Sequence, residues 1–300
     1  MALFYSDIFV LPLPAHHRFP MAKYERLHRR LLESDAFDEG EFRVPAAASD
    51  AEIVRAHCPR YLARVASGAL DAAELKAIGF PWSERMVQRS RHSCGATLAA
   101  AREALTRGWS ANLAGGTHHA FRDRGEGFCI FNDAAIAARA MQVEAGLQRV
   151  AVIDCDVHQG NGTASIFRDD ESVFTFSIHG ARNFPFAKEA SDLDIELADG
   201  AGDDEYLWHL ERGLDETLER SRPQLAFYLA GADPYEDDRL GRLKLTMAGL
   251  ARRDAHVLAT LQARGIPVAV AMAGGYARDI DDSVAIHANT IATARRIYGT

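Results

Sequence analysis

The sequence predicts an α/β fold in which a mainly parallel central sheet is flanked by helices. Short apolar runs without polar alternation recur from Trp109 onward, as expected of strands that are buried on both faces. Longer amphipathic segments separate these runs, which is the order typical of strand–helix–strand units. The chain has 300 residues, of which 48% are hydrophobic and 25% charged, so it can bury a large core.

The elements are predicted from the spacing of apolar residues. In the first hundred residues this spacing is helical, and we expect those helices to pack on the sheet within a single domain, residues 1–300. The early helices are predicted at 24–32, 50–56, 61–67 and 93–106. Strands are predicted at 111–113, 150–154, 173–178, 225–230 and 268–273. The later helices are predicted at 133–143, 204–220, 246–263 and 283–298, with Asn132 as an N-cap.

Charge and cysteine usage exclude several classes of protein. There are 34 Lys and Arg against 42 Asp and Glu, a formal charge of −8, which argues against a nucleic-acid binder that relies on phosphate neutralisation. Four cysteines without a CxxC pair fit reduced thiols better than a disulfide scaffold or a zinc ribbon. The N-terminus does not resemble a signal peptide, and no apolar run reaches the ~18 residues of a membrane span. We therefore expect a cytoplasmic protein that binds neither nucleic acid nor membrane, and the sequence predicts no particular oligomeric state.

Metal-ligating residue types follow the strand predicted at 150–154. Asp154, Asp156 and His158 are two positions apart, so on extended backbone their side chains face the same way. Two carboxylates and an imidazole on one face of an apolar strand are costly unless a cation compensates them. We therefore expect a divalent metal here. Oxygen and nitrogen donors of this kind suit Zn²⁺ and also accept Fe²⁺.

A third ligand is expected after the strand predicted at 225–230. Asp233 is followed by a proline, which favours extended backbone at the aspartate. Together with Asp156 and His158 it would leave a coordination position open, as in catalytic zinc sites. Taken alone, the Asp-Pro pair more often starts a turn.

Two further strand ends carry groups suited to hydrolysis. A Gly-Gly pair precedes His118 and His119, and this flexible turn lets both imidazoles line one cavity. Another Gly-Gly pair precedes Tyr276. A metal that polarises a carbonyl, a histidine that removes a proton from water and a tyrosine that stabilises the oxyanion are the requirements of metal-assisted amide hydrolysis.

Five motifs resemble those of the histone deacetylase superfamily and occur in that family's order. They are GGTHHAF at 115–121, GFCIFND at 127–133, DCDVHQGNGT at 154–163, GADPYEDDRLG at 231–241 and GGY at 274–276. The QGNG form of the second half of the metal loop is most similar to the class IV and bacterial branch. The resemblance implies the arginase/deacetylase fold, with three layers in the order α/β/α.

The resemblance also implies a role for each residue at the strand ends. It assigns one catalytic Zn²⁺ to Asp156, His158 and Asp233. It assigns the general base and acid to His119 and the polarisation of the carbonyl to Tyr276.

Further implied roles concern the surroundings of the two histidines. His118 is the electrostatic partner of His119, and Asp154 orients His118. Asn161 faces His119 where class I members have a second acid, and a neutral amide there leaves His119 freer to begin as a neutral base.

A structural cation and a substrate tunnel are implied in the same way. The expected ligands of a monovalent cation, K⁺, are Asp154, Asp156, His158, Ser177 and Ile178. The expected walls of an acyl-lysine tunnel are Gly127, Phe128, Phe186 and Gly275, with Phe184 as an alternative to Phe186. Arg18 is matched to an arginine of an internal channel.

The preferred hypothesis is a zinc-dependent amidohydrolase that removes an acetyl or longer acyl group from the ε-amino group of lysine in a protein or peptide. Alternatives are a deacetylase of acetylpolyamines or other small acylamines, for which the acidic composition is compatible with a cationic substrate, and a non-catalytic acyl-lysine binding protein. A binuclear manganese ureohydrolase is disfavoured because Gly160 stands where a further ligand is needed. A nucleotide-binding protein is disfavoured because Ser165 replaces the third glycine of the phosphate-binding motif.

Overall fold

A computed structural model describes residues 1–14 and 16–299. Within this part of the chain the centre is a sheet of eight strands. In chain order the strands are β1 (Leu3–Phe4), β2 (Phe42–Arg43), β3 (Trp109–Asn112), β4 (Val150–Asp154), β5 (Val173–Gly180), β6 (Leu193–Leu197), β7 (Leu225–Leu229) and β8 (Val268–Ala271). Their order in the sheet is β2-β1-β3-β8-β7-β4-β5-β6, and every neighbouring pair is parallel.

Helices cover both faces of this sheet. They are α1 (Lys23–Leu32), α2 (Asp50–Ile53), α3 (Pro59–Ser67), α4 (Ala72–Ile78), α5 (Glu84–Arg107), α6 (Asp133–Ala145), α7 (Asn161–Phe167), α8 (Asp203–Ser221), α9 (Met247–Ala263) and α10 (Ile280–Tyr298). One layer contains α5, α6 and α7, and the other contains α1, α8, α9 and α10. The predicted three-layer α/β/α fold is confirmed, and the sheet is parallel throughout rather than mainly parallel.

Local sequence signals begin and end the long helices. The Ser83 hydroxyl accepts a hydrogen bond from Met86 N–H at the start of α5, and Gly108 ends that helix with a φ of 87°. The Asn132 side chain accepts from Ala135 N–H, which confirms the predicted N-cap of α6. In the described residues no helix is both long and apolar enough to cross a bilayer.

The topology brings the expected functional segments to one edge of the sheet. Because the strands are parallel, their carboxyl ends lie on the same side, where ligands bind in open α/β sheets. Strand β4 lies between β5 and β7, and its Asp154 is level with Ser177 and Leu229 of those neighbours. The segments that follow β3, β4, β7 and β8 therefore meet at this edge.

A buried ion pair in α9 supports this edge from below. Arg253 and Asp254 are fully buried. The Arg253 guanidinium donates to the carbonyl of Cys155 at 3.3 Å and to that of Gly231 at 2.6 Å, which links the segments after β4 and β7. The Asp254 carboxylate accepts from the Tyr228 hydroxyl at 2.6 Å. Removing either partner of this pair would leave a buried charge uncompensated, at a cost of about 3–5 kcal/mol.

Candidate active site

Three side chains at the sheet edge form a cluster that could hold a metal ion. The ligand atoms of Asp156, His158 and Asp233 all lie within 4.8 Å of one another, and the three residues are buried. Asp233 Oδ2 lies 3.2 Å from His158 Nδ1 and accepts no hydrogen bond from any residue in the described ranges. Leaving a buried polar atom unsatisfied costs about 1–3 kcal/mol. A cation at this cluster would compensate that oxygen, so the donor set fits a divalent metal.

Glycine is required beside these carboxylates. The backbone N–H of Gly274 donates to Asp156 Oδ2 at 2.7 Å. A Cβ atom at position 274 would overlap Asp233 Oδ2 and lie 2.6 Å from Asp156 Oδ2. Because Gly274 has no side chain, the backbone after β8 can approach the ligand carboxylates directly.

The first histidine of the pair is held by a buried carboxylate. His118 Nδ1 lies 2.6 Å from Asp154 Oδ2, and both side chains are buried. Burial lowers the pKa of His118, but the Asp154 and Asp156 carboxylates outweigh burial and raise this pKa to about 9. The two carboxylates therefore favour the charged form of His118.

The second histidine ends a chain of hydrogen bonds that includes a residue the sequence did not single out. His119 Nδ1 lies 2.7 Å from Asn161 Oδ1, and Asn161 Nδ2 donates to Glu126 Oε1 at 2.5 Å. Because the amide nitrogen faces Glu126, the amide oxygen faces His119, and Nδ1 must be the protonated ring nitrogen. Burial, followed by the charges of His118 and His158, holds the pKa of His119 well below its usual range. A lone acid in a loop has no pattern by which the sequence could have revealed Glu126.

Asp133 fixes the turn that carries both histidines. Its carboxylate accepts from the backbone N–H of Gly116 at 2.9 Å and from that of Thr117 at 2.7 Å. The ring centroids of His118 and His119 are 4.1 Å apart. The first residue of α6 thus presents both imidazoles on the same side of the turn.

Two charged side chains hold the backbone around Tyr276. Asp238 accepts from the Tyr276 N–H at 2.6 Å. The buried Lys23 ammonium donates to the carbonyls of Ala273 at 3.0 Å and Gly275 at 3.4 Å. Burial raises the pKa of Tyr276 well above its usual range, so its hydroxyl keeps its proton. The tyrosine ring lies 6.4 Å from that of His158.

Lys23 is a second residue that the sequence did not indicate. Burial lowers the pKa of Lys23 to about 8, against the attraction of Asp233 and Asp156. As the first residue of α1 it shows no feature that distinguishes it from a surface lysine in the sequence.

A cavity of about 390 Å³ leads to these groups from the surface. His119, His158 and Tyr276 line it, and so do Gly127 and Phe128. The cavity therefore connects solvent with the cluster of metal ligands and with the side chains of His119 and Tyr276.

Not all of the residues predicted to line a tunnel lie in the cavity wall. Phe184 is in contact with His119, with ring centroids 4.9 Å apart. Phe186 lines the outer part of the cavity and is 86% exposed, so Phe184, the alternative, forms the wall opposite Gly127 and Phe128. Gly275 lines neither this cavity nor the small cavity described next, because a side chain at this position would point toward Ala232, His287 and Ser283.

A small second cavity of about 30 Å³ is lined by Asp156 and His158 and shares part of its lining with the large cavity. Arg89 and Tyr24 line it, and the Arg89 guanidinium lies 3.3 Å from the Tyr24 hydroxyl. Arg18, which had been matched to an internal channel, instead lies exposed at the mouth of the large cavity. It precedes α1 in an open loop, whereas Arg89 lies in the buried part of α5.

The residues expected around a monovalent cation are close together and buried. Ser177 is level with Asp154 in the β4–β5 register, and Ile178 follows it in β5. The Ser177 hydroxyl lies 2.9 Å from His179 Nδ1. Asp156 and His158, the other expected ligands, belong to the segment after β4 described above.

Comparison with known proteins identifies the family. The histone deacetylase domain matches residues 17–291 of the chain. The chain belongs to this family. Members act as hydrolases on amides. The matched domain includes the metal-ligand cluster, both histidines and Tyr276.

Two relatives and one solved structure show the extent of the similarity. The chain is 45% identical over 294 residues to an uncharacterized protein of Picosynechococcus sp., covering 98% of each. It is 32% identical over 292 residues to Histone deacetylase 2 of Arabidopsis thaliana, covering 93% of this chain and 75% of the relative. The acetylpolyamine aminohydrolase of Burkholderia pseudomallei shares the fold, with a TM-score of 0.79, 23% identity and 99% coverage of both chains. The histone deacetylase family thus accounts for nearly the whole chain.

Proposed function

We propose that this histone deacetylase family member removes an acetyl or longer acyl group from the ε-amino group of lysine in a protein or peptide. The observation that carries the proposal is the meeting of the cluster Asp156–His158–Asp233 with His119 and Tyr276 at the base of one cavity. A buried set of metal ligands, a neutral imidazole and a protonated phenol are the groups that metal-assisted amide hydrolysis requires.

The metal is proposed to be a single Zn²⁺ held by Asp156, His158 and Asp233, although the same donors also accept Fe²⁺. When bound, such an ion polarises a carbonyl and lowers the pKa of water. Asp233 Oδ2, which has no hydrogen-bond partner in the described part of the chain, supports this assignment. K⁺ is proposed beside it, at Asp154, Asp156, His158, Ser177 and Ile178, in a structural role.

His119 is proposed to move the proton. Its Nδ1–H is engaged by Asn161, so Nε2 has a free lone pair with which to accept a proton from the attacking water. The water oxygen adds to the carbonyl carbon, the carbon–nitrogen bond then breaks, and the acyl group leaves as a carboxylic acid. His119 returns the proton to the departing lysine nitrogen, which leaves as an amine.

His118 and Tyr276 are proposed to stabilise the charge that develops during this reaction. The Tyr276 hydroxyl donates a hydrogen bond to the carbonyl oxygen as it becomes negative. The His118 imidazolium, oriented by Asp154, adds a positive charge beside His119. Phe128 and Phe184 enclose the alkyl stem of the acylated lysine and exclude water from the base of the cavity.

The experiment is hydrolysis of an acetyl-lysine peptide by zinc-loaded protein, with the deacetylated peptide detected by mass spectrometry. A series of acyl groups from acetyl to myristoyl, on the same peptide and on a polyamine, identifies the acyl length and the amine. We expect release from the peptide and none after chelation. Stoichiometric zinc without release of any acyl group from any of these substrates would contradict the proposal and favour a non-catalytic acyl-lysine binder.

A further inference from the structure

The mouth of the large cavity has a charge opposite to that of the protein as a whole. The chain carries a formal charge of −8. Yet the residues that line the cavity include four cationic side chains and, among the residues that the structure describes, no aspartate or glutamate. The four are Arg18, Lys76, Arg182 and Arg242. We call them the rim cations.

The rim cations come from four separate segments. Arg18 lies in the loop before α1, and Lys76 lies in the last turn of α4. Arg182 follows β5, and Arg242 lies between β7 and α9. A single charged helix face could not produce this arrangement, because each residue reaches the cavity from a different part of the chain.

Acidic partners offset only part of this charge. Asp199 lies 3.1 Å from Arg242 and 4.0 Å from Arg182, and so serves two guanidinium groups at once. Neither Arg18 nor Lys76 has a carboxylate within 4.0 Å in the described part of the chain. All four side chains are exposed. Three positive charges therefore remain uncompensated around the entrance.

We propose that the rim cations bind an acidic peptide segment, so that the preferred substrate is an acylated lysine flanked by aspartate or glutamate. This inference rests on the proposed deacylase function and specifies its substrate. A lysine whose acyl group reaches the metal cluster leaves its neighbouring residues at the mouth, within reach of the rim cations. Acetylpolyamines and lysine-rich tails carry further positive charges to the same place, where like charges repel.

Electrostatic attraction of this kind has a recognisable dependence on salt. A mouth lined by one sign of charge attracts oppositely charged ligands and accelerates their association, by about tenfold or more at low ionic strength. The Debye length is about 10 Å at 0.1 M salt, so added salt weakens the effect between exposed groups. Packing of the acyl group at the base of the cavity is not screened in this way.

The test compares three acetyl-lysine peptides of equal length on zinc-loaded protein. The two residues on each side of the lysine are glutamate, glutamine or lysine. We expect kcat/KM at low salt to be about tenfold higher for the glutamate peptide than for the lysine peptide, with the glutamine peptide between them. The difference should shrink at about 0.5 M salt.

Variants locate the effect. The double substitution Lys76→Glu with Arg182→Glu should reverse the order of the glutamate and lysine peptides. The matched control is Arg107→Glu, an exposed residue at the end of α5 and at the opposite edge of the sheet, and it should keep the wild-type order. Thermal unfolding of each variant checks that it is folded.

The outcomes separate this inference from the function on which it rests. If the glutamine peptide is cleaved but the lysine peptide is cleaved as well as the glutamate peptide, the acidic preference is wrong and the deacylase function stands. If the preference exists but the double variant keeps it, the rim cations are not its cause. If zinc-loaded protein cleaves none of the three peptides, the proposed function itself fails and this inference falls with it.

Discussion

At the scale of single residues, Tyr276 is the clearest case of one group with one proposed task. Substitution by phenylalanine removes the hydroxyl and keeps the ring that packs 6.1 Å from Phe128. We expect kcat for an acetyl-lysine peptide to fall about 10²- to 10³-fold, the usual cost of removing one oxyanion donor. Zinc content, measured by atomic emission, should remain that of the wild type. A variant with full activity would show that the hydroxyl does not act on the carbonyl.

Glu126 is expected to act through Asn161 rather than on the substrate. Glu126→Ala removes the acceptor that orients the amide, so we expect kcat to fall about ten- to a hundredfold with little change in KM. Glu126→Gln keeps an acceptor oxygen and should retain most of the activity.

A double-mutant cycle checks the order of this chain of hydrogen bonds. If Glu126 works through Asn161, the double variant Glu126→Ala with Asn161→Ala should be no slower than Asn161→Ala alone. Additive losses in kcat would mean that Glu126 has an independent role, contrary to the hydrogen bonds seen in the structure.

The sequence indicated the residues that stand in a pattern and missed those that stand alone. Asp156, His158 and Asp233 follow buried strands, and this placement predicted that they would lie together. Glu126 and Lys23 are joined to the site only by contacts that the fold creates, since Lys23 donates to a carbonyl 250 positions away. Such contacts have no local signal in a sequence.

At the scale of elements, burial decides which strands could be predicted. Strand β4 is predicted to the residue, because Val150–Asp154 is an apolar run that is buried throughout. Strand β6, at the end of the sheet, was missed because the predicted strands were uniformly apolar runs, whereas β6 alternates apolar and acidic residues as a strand exposed on one face does. The two-residue strands β1 and β2 are too short to show a period. Helices α4 and α7 were missed for a similar reason, since each has seven residues.

Asn132 connects the start of α6 with two other segments of the site. Its side-chain oxygen caps the helix, and its amide nitrogen donates to Thr163 Oγ1 at 2.9 Å and to the Ala120 carbonyl at 3.2 Å. We expect Asn132→Ala to lower the free energy of unfolding by about 1–3 kcal/mol, measured by urea titration. Asn132→Asp keeps the oxygen that caps the helix but lacks the amide donor to Thr163 and Ala120. Any decrease in its free energy of unfolding would therefore come from the lost donor and not from the cap. An unchanged urea midpoint for the alanine variant would contradict this account.

At the scale of the whole molecule, metal binding should stabilise the fold. The ligands come from two strand ends, so an ion that binds only the folded chain adds about 2.7 kcal/mol when it is present at 100 times its dissociation constant. We expect a chelator to lower the melting temperature and added Zn²⁺ to restore it, as measured by calorimetry. Asp233→Asn is the control, because loss of a ligand should greatly reduce the response to zinc. Equal responses in both proteins would place the zinc elsewhere.

Asp233 Oδ1 accepts a hydrogen bond from the Val157 N–H, 76 positions earlier in the chain, at 2.9 Å. A bound ion would thus join two distant stretches of polypeptide, and separation of the two stretches would remove part of its ligand set. Loss of the ion by this route would measure how often the segments around Val157 and Asp233 separate. The rate at which a chelator removes zinc, measured at several temperatures, would give the temperature dependence of that separation.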